Sequence, residues 1–191
     1  VVLMNGFEED FVPVGAAYTS KRKKARQLKL RLANCLLGEE FKDDETLTNQ
    51  TFCPLFERLE AVMDALDRAK DETGKQVLYA VNVTTGGDRI VELAHKAVSA
   101  GANMLMVDVL TAGFSAIQAL AEDAAINVPI HVHRTMHGAL TRNPHHGIAM
   151  RPIAKLVRSA GGDQLHTGSV SGKMGSKAGE VIADNIEITK P

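Results

Sequence analysis

From Leu32 onward, short apolar runs of strand length alternate with longer segments whose apolar residues recur every three or four positions. Pro54 opens the first helical segment, since proline is tolerated in a helix's first turn. Leu55, Leu59, Val62, Met63, Leu66 and Ala69 form its apolar stripe, and Gly74 closes it. Val77 to Val83 reads as a strand, with Thr84, Thr85, Gly86 and Gly87 as the turn behind it. Ile90, Val91, Leu93, Ala94, Ala97 and Val98 mark a helix that stops at Gly101, and Met104 to Val109 is the next strand. Leu110 to Gly113 follows it, and Phe114 to Ala125 reads as a helix. Ile130 to Arg134 is a strand, Arg151 to Ala160 a helix, and Asp163 to Thr167 a last strand leading into a glycine-bearing loop, Gly168 to Gly175. Residues Val1 to Leu30 carry no comparable rhythm: Val1 to Met4 has the pattern of a short strand, and Gly6 to Asp10 is acidic and loop-like.

Strands alternating with helices predict a parallel sheet. The runs are apolar throughout, as in strands buried on both faces. An open doubly wound sheet and a (β/α)8 barrel both fit. No G-x-G-x-x-G follows the early strands, which disfavours a dinucleotide fold. The polar residues gather at the C-terminal ends of successive strands: Lys42 with Asp44 and Glu45, then Asn82, Asp108, His133 with Arg134, and His166. In a barrel those ends form the catalytic face.

The whole sequence adds limits. A chain of 191 residues, 45% hydrophobic, holds one domain with a sizeable core. A formal net charge of −1 argues against a dedicated nucleic-acid binder. Cys35 and Cys53 have no metal-type spacing, so a reduced, intracellular, cytoplasmic protein is expected. No apolar run approaches a membrane span. The first residue is Val1 and the last is Pro191, so a fragment of a longer protein is expected. Residues 1–31 form an N-terminal segment with a basic run, Lys21-Arg22-Lys23-Lys24 with Arg26, Lys29 and Arg31. That run fits a phosphate or nucleic-acid patch, but lacks interleaved aromatics and reads better as a solvated helix face or arm.

The chemistry-bearing residues centre on Phe41-Lys42-Asp43-Asp44-Glu45. At a strand end, Lys42 and Asp44 share a face, Asp43 takes the other, and Glu45 turns back toward Asp44. Two carboxylates suit a hard divalent cation such as Mg2+. A protonated lysine repels that cation and joins the site only if its charge is lost or modified. Taken alone, an acidic run after an apolar segment is usually a solvated loop. His131 and His133 share one side of their strand, with Arg134 and His137 just beyond. His133 and Arg134 fit proton transfer and anion binding, whereas His131 fits an interior histidine satisfied by hydrogen bonds. Asn143-Pro144-His145-His146-Gly147 reads as a surface loop rather than a zinc site. Lys173, flanked by Gly172 and Gly175, sits where a mobile loop can carry a cation over developing charge.

Three strings together resemble the large subunit of ribulose-1,5-bisphosphate carboxylase/oxygenase (RuBisCO). They are Lys42-Asp43-Asp44-Glu45, His131-Val132-His133-Arg134-Thr135-Met136-His137, and Gly161-Gly162-Asp163-Gln164-Leu165-His166-Thr167-Gly168 with Gly172-Lys173-Met174. The last string and Phe52-Cys53-Pro54 resemble the archaeal form III enzymes. The resemblance spans about Leu36 to Lys173 and fades through Pro191. It implies a partial (β/α)8 TIM barrel, roughly the strands 2 to 6 portion, over residues 32–191. It also implies a lyase that fixes CO2, and a homodimer or larger homo-oligomer in the full-length protein, away from membranes. By the same resemblance Lys42 is carbamylated by CO2 and holds Mg2+ together with Asp44 and Glu45. Arg134 and His166 bind one phosphate of a sugar bisphosphate, His133 transfers protons, and Lys173 is the lid lysine that stabilises the incoming CO2. Asn82 and Asp108 fall behind these groups.

Some family features are absent from the string. No Lys-Pro-Lys precedes the Lys42 strand, and the glycine-rich lead into that lysine is shortened to Leu37-Gly38-Glu39-Glu40-Phe41. The family's N-terminal α+β domain and last two barrel strands, with their phosphate-gripping serine and glycines, have no counterpart. The leading expectation is a fragment of a Mg2+-dependent carboxylase. The alternatives are a RuBisCO-like enolase or isomerase, and an inactive remnant whose basic arm binds nucleic acid.

Overall fold

The computed structural model describes residues 11–13, 40–42, 54–137, 140, 145 and 147–166. Asp43, Asp44, Glu45, Lys173, both cysteines, His146, the basic run and the expected strand Val1 to Met4 lie outside the described residues.

Among the described residues, the strands and helices follow one another in this order. They are β1 (Phe11–Pro13), β2 (Glu40–Lys42), α1 (Leu55–Thr73), β3 (Leu78–Asn82), α2 (Arg89–Ser99), β4 (Met104–Asp108), α3 (Val109–Ala112), α4 (Phe114–Glu122), β5 (Ile130–His133), α5 (Met150–Ala160) and β6 (Gln164–His166). One six-stranded sheet runs β1-β6-β5-β4-β3-β2. Strands β2 to β6 are parallel neighbours in sequence order, and β1 pairs antiparallel with β6 on the far edge. A doubly wound sheet needs a reversal of strand order; the described parallel strands contain none.

The helices end where local chemistry says they should. Pro54 precedes the first turn of α1, and its carbonyl accepts the Arg58 N–H at 3.0 Å. Gly74 takes the left-handed conformation (φ 72°) and returns its N–H to the Lys70 carbonyl. The strand expected over Met104 to Val109 ends at Asp108: Val109–Ala112 is a short helix, closed by the Gly113 N–H on the Val109 carbonyl. Four residues are too few to show a helical period, so nothing in the sequence distinguishes it from a turn. Helix α4 ends at Glu122, three residues short of Ala125, because the Asp123 side chain accepts the Ala125 N–H and turns the chain out of the helix.

Each strand of the sheet's middle has two differently filled faces. Tyr79, Val81, Leu105, Val107, Ile130, Val132 and Leu165 join one core with Leu59, Ile90, Ala94, Ile117, Leu120, Ile153 and Val157 of the helices. Full burial of each large aliphatic side chain there contributes about 1.5–3 kcal/mol. The opposite face begins with a small separate cluster, Leu78, Ala80, Met104 and Met106. Further along the strands that face turns polar, with Asn82, Asp108, His131, His133 and Gln164 all buried. In this pleat phase Lys42 pairs with Ala80, Met106 with His131, Asp108 with His133, and His131 with Gln164.

The opposite ends of the strands are tied by short polar side chains. Just before β4, Asn103 accepts the Tyr79 N–H at 2.8 Å and donates to the Val77 carbonyl at 3.2 Å. Just before β6, Asp163 accepts the Ile130 N–H on its carboxylate at 2.9 Å and donates its own N–H to the Ile130 carbonyl at 3.0 Å. These bonds satisfy backbone groups that the short strands leave over.

Candidate active site at the C-terminal strand ends

Because β2 to β6 run parallel, their last residues meet at one rim. Lys42, Asn82, Asp108, His133 and His166 are the final residues of five consecutive strands. The described part of the rim is a connected polar network rather than a scatter of side chains. Asn82 donates its amide to Asp108 Oδ2 at 3.1 Å. Asn82 Oδ1 accepts the Thr84 N–H at 3.0 Å, and Thr84 Oγ1 accepts the Asp108 N–H at 2.8 Å. Those three bonds form a closed ring across β3 and β4, all of it buried. The other carboxylate oxygen, Asp108 Oδ1, meets no hydrogen-bond donor among the described residues, and His133 Nδ1 lies 3.5 Å from it.

His133 also places Nδ1 2.6 Å from Thr135 Oγ1. Its ring meets that of His166 edge-on, with centroids 4.5 Å apart. Below them His131 lies 6.4 Å from His133 and 6.5 Å from His166, and its Nδ1 is 3.2 Å from Gln164 Oε1. His131 is fully buried, and its Nδ1 is tied across to Gln164 on β6.

Beyond β5 the chain turns at Arg134 to His137, closed by the His137 N–H on the Arg134 carbonyl at 3.0 Å. Met136 pays for the turn with φ 71°, a conformation a non-glycine residue takes at a cost of about 1–2 kcal/mol. Arg134 is buried and donates through Nη1 to His137 Nδ1 at 2.7 Å. An acceptor Nδ1 leaves the His137 proton on Nε2, where it is donated to the Ile148 carbonyl. Burial holds the His137 pKa below its usual 6.5, and the Arg134 charge adds to the effect against the Ile148 bond. Arg134 is thus held in place by a neutral histidine. His145 stands exposed in its loop, as a surface position should.

Thr84, Thr135, Gln164 and the clamp formed by His137 are working parts that pattern reading does not isolate. Thr84 lies just before a glycine-bearing turn, Thr135 is in the turn after β5, and His137 directly follows that turn, so no periodicity marks them. The one available signal was proximity to a strand end. Among the described residues, no cluster of three histidine, cysteine or acidic side chains forms a ready metal site. No described helix is long and apolar enough to cross a membrane.

Comparison with known proteins adds a family to this geometry. Residues 26–189 match the family described as ribulose bisphosphate carboxylase large chain, catalytic domain. The chain is 43% identical over 143 residues to ribulose bisphosphate carboxylase of Methanosarcina mazei, covering 74% of this chain and 33% of that protein. It is 40% identical over 151 residues to the Methanocaldococcus jannaschii protein of the same name, covering 78% and 35%. The chain therefore spans about a third of the length of these curated relatives. Among solved structures it resembles the octameric enzyme of Pyrococcus horikoshii in complex with sulfate ion. The TM-score is 0.69 at 31% identity, over 94% of this chain and 42% of that one. The dimeric archaeal enzyme of Hyperthermus butylicus gives a TM-score of 0.67 at 32% identity, over 98% and 45%.

Proposed function

The chain belongs to the ribulose bisphosphate carboxylase large-chain family, and from that premise we propose that it is part of a Mg2+-dependent ribulose-1,5-bisphosphate carboxylase. The reaction adds CO2 to the enediolate of the sugar bisphosphate, and water then cleaves the product to two molecules of 3-phosphoglycerate. The observation that carries this reading is the convergence of Lys42, Asn82, Asp108, His133 and His166 at the ends of five consecutive parallel strands. We infer that these strands are strands 2 to 6 of a (β/α)8 barrel, whose catalytic face is this rim.

The residues fit the metal that the family implies. Lys42 as its carbamate, Asp44 and Glu45 offer oxygen donors only, the set a hard divalent cation takes. Lys42 ends β2 at the rim that also holds the buried Asp108 carboxylate, one oxygen of which lacks a hydrogen-bond donor among the described residues. When bound, Mg2+ supplies a Lewis acid for the enediolate oxygens. The chain's own groups do the rest. Arg134, fixed by His137, and His166 hold one phosphate. His133 moves protons at the substrate hydroxyls, within contact of the His166 ring. Lys173 closes over the site and stabilises the carboxylate formed from CO2. A homo-oligomer in the cytoplasm is the expected setting; the two solved relatives are octameric and dimeric.

The test is product formation by the full-length gene product with ribulose bisphosphate, Mg2+ and labelled CO2. Label should appear in 3-phosphoglycerate, and His133→Ala should lower the rate about 100-fold or more. Enolisation of the substrate without fixation would refute the carboxylase and leave an enolase or isomerase.

A further inference from the structure

The ring of bonds joining Asn82, Thr84 and Asp108 does not reach substrate by itself. Its effect falls on His133. Asn82 pins Asp108 Oδ2, and Thr84 pins the Asp108 backbone. With both fixed, Oδ1 is held 3.5 Å from His133 Nδ1, and both side chains are buried. A carboxylate held beside one imidazole nitrogen favours a proton on that nitrogen and stabilises the protonated ring. Such a partner acts by setting tautomer and orientation, not by accepting the proton itself.

We propose that Asp108, aligned by Asn82 and Thr84, is a positioning residue that keeps the His133 proton on Nδ1 and leaves Nε2 as the proton-accepting atom. His133 Nδ1 lies 2.6 Å from Thr135 Oγ1, and the Asp108 Oδ1 charge faces the same nitrogen at 3.5 Å without a hydrogen bond between them. Among the described residues, groups near His133 that titrate or carry charge include His166 edge-on from β6, His131 on its own strand, and Arg134 next in the chain, itself held by His137. Arg134 and any proton on His131 or His166 oppose a second positive charge on His133. Asp108 is the described negative group that offsets them. The proposal rests on the reading of His133 as the proton-transfer group, but it is tested without turnover.

Histidine in the 191-residue chain is labelled with nitrogen-15, and its ring signals are followed by NMR against pH. His133→Asn identifies the His133 signals by their loss. In the unsubstituted protein, at a pH where the ring is neutral, it should show the proton on Nδ1. A proton on Nε2 would overturn the proposal. Asp108→Asn should move the neutral ring from the Nδ1–H toward the Nε2–H tautomer. Asp108→Glu should restore part of the Nδ1–H form, and Asn82→Ala should give a smaller change in the same direction as Asp108→Asn. An unchanged tautomer in Asp108→Asn would also overturn it. Failure of carbon fixation with the Nδ1 tautomer intact would remove the proposed function and leave this arrangement standing.

Discussion

His137 shows how a single buried side chain ties chemistry to stability. Its Nδ1 accepts from Arg134 and its Nε2–H donates to the Ile148 carbonyl, so both ring nitrogens are used in the neutral form. Protonating Nδ1 would break the Arg134 bond and set two cations against each other in a buried site. In the unfolded chain the ring takes up a proton near pH 6.5, while the folded chain resists it. The unfolded state therefore binds more protons below that pH, and stability falls as pH drops until the folded ring also titrates. Above pH 6.5 both states are neutral at this ring and the effect vanishes. Urea midpoints at about pH 7.5 and pH 5.5 should thus differ more for the wild-type protein than for His137→Gln. Equal losses in the two proteins would show that His137 is not the linked group. The sequence placed His137 only at a loop; the clamp depends on Ile148, eleven positions away, and no local pattern carries such a partner.

At the scale of elements, the junction between α5 and β6 depends on three consecutive residues with three different tasks. Gly161 ends α5 in the left-handed conformation (φ 95°). Gly162 lies against the core, where an added Cβ would fall 2.8 Å from Val132 Cγ2 and 2.8 Å from Val157 Cγ1. Asp163 then links back to Ile130 through backbone and carboxylate. Gly162→Ala should cost about 1–3 kcal/mol through overpacking, read as a lower urea midpoint at unchanged slope. A midpoint equal to wild type would mean that β5 and α5 yield at no cost. Long, periodic elements such as α1, and the apolar runs of β3 and β4, were legible because burial imposes their pattern. β1 was not: Phe11–Pro13 is too short to show alternation, and its place is set by an antiparallel partner more than 150 residues later. The resemblance seen from about Leu36 to Lys173 also understated the family match, which runs over 26–189.

For the whole molecule, sequential parallel order does the organising. Each step from strand to helix to parallel strand brings the next strand end to the same rim, so residues far apart in sequence meet. That is why the polar strand ends Asn82, Asp108, His133 and His166 could be picked out beforehand, while their bonds could not. End position follows from pattern; the Asn82–Thr84–Asp108 ring depends on the stagger of β3 against β4 and on side-chain rotamers. The metal proposal belongs to this scale as well, since it requires Lys42 to act with Asp44 and Glu45 beside the rim of the neighbouring strands. The most direct measurement is carbon NMR of the full-length protein with isotopically labelled CO2, with and without Mg2+. A lysine carbamate signal stabilised by Mg2+, and abolished by Lys42→Ala, is the expected result. No carbamate at any Mg2+ concentration, or one that survives Lys42→Ala, would contradict the account.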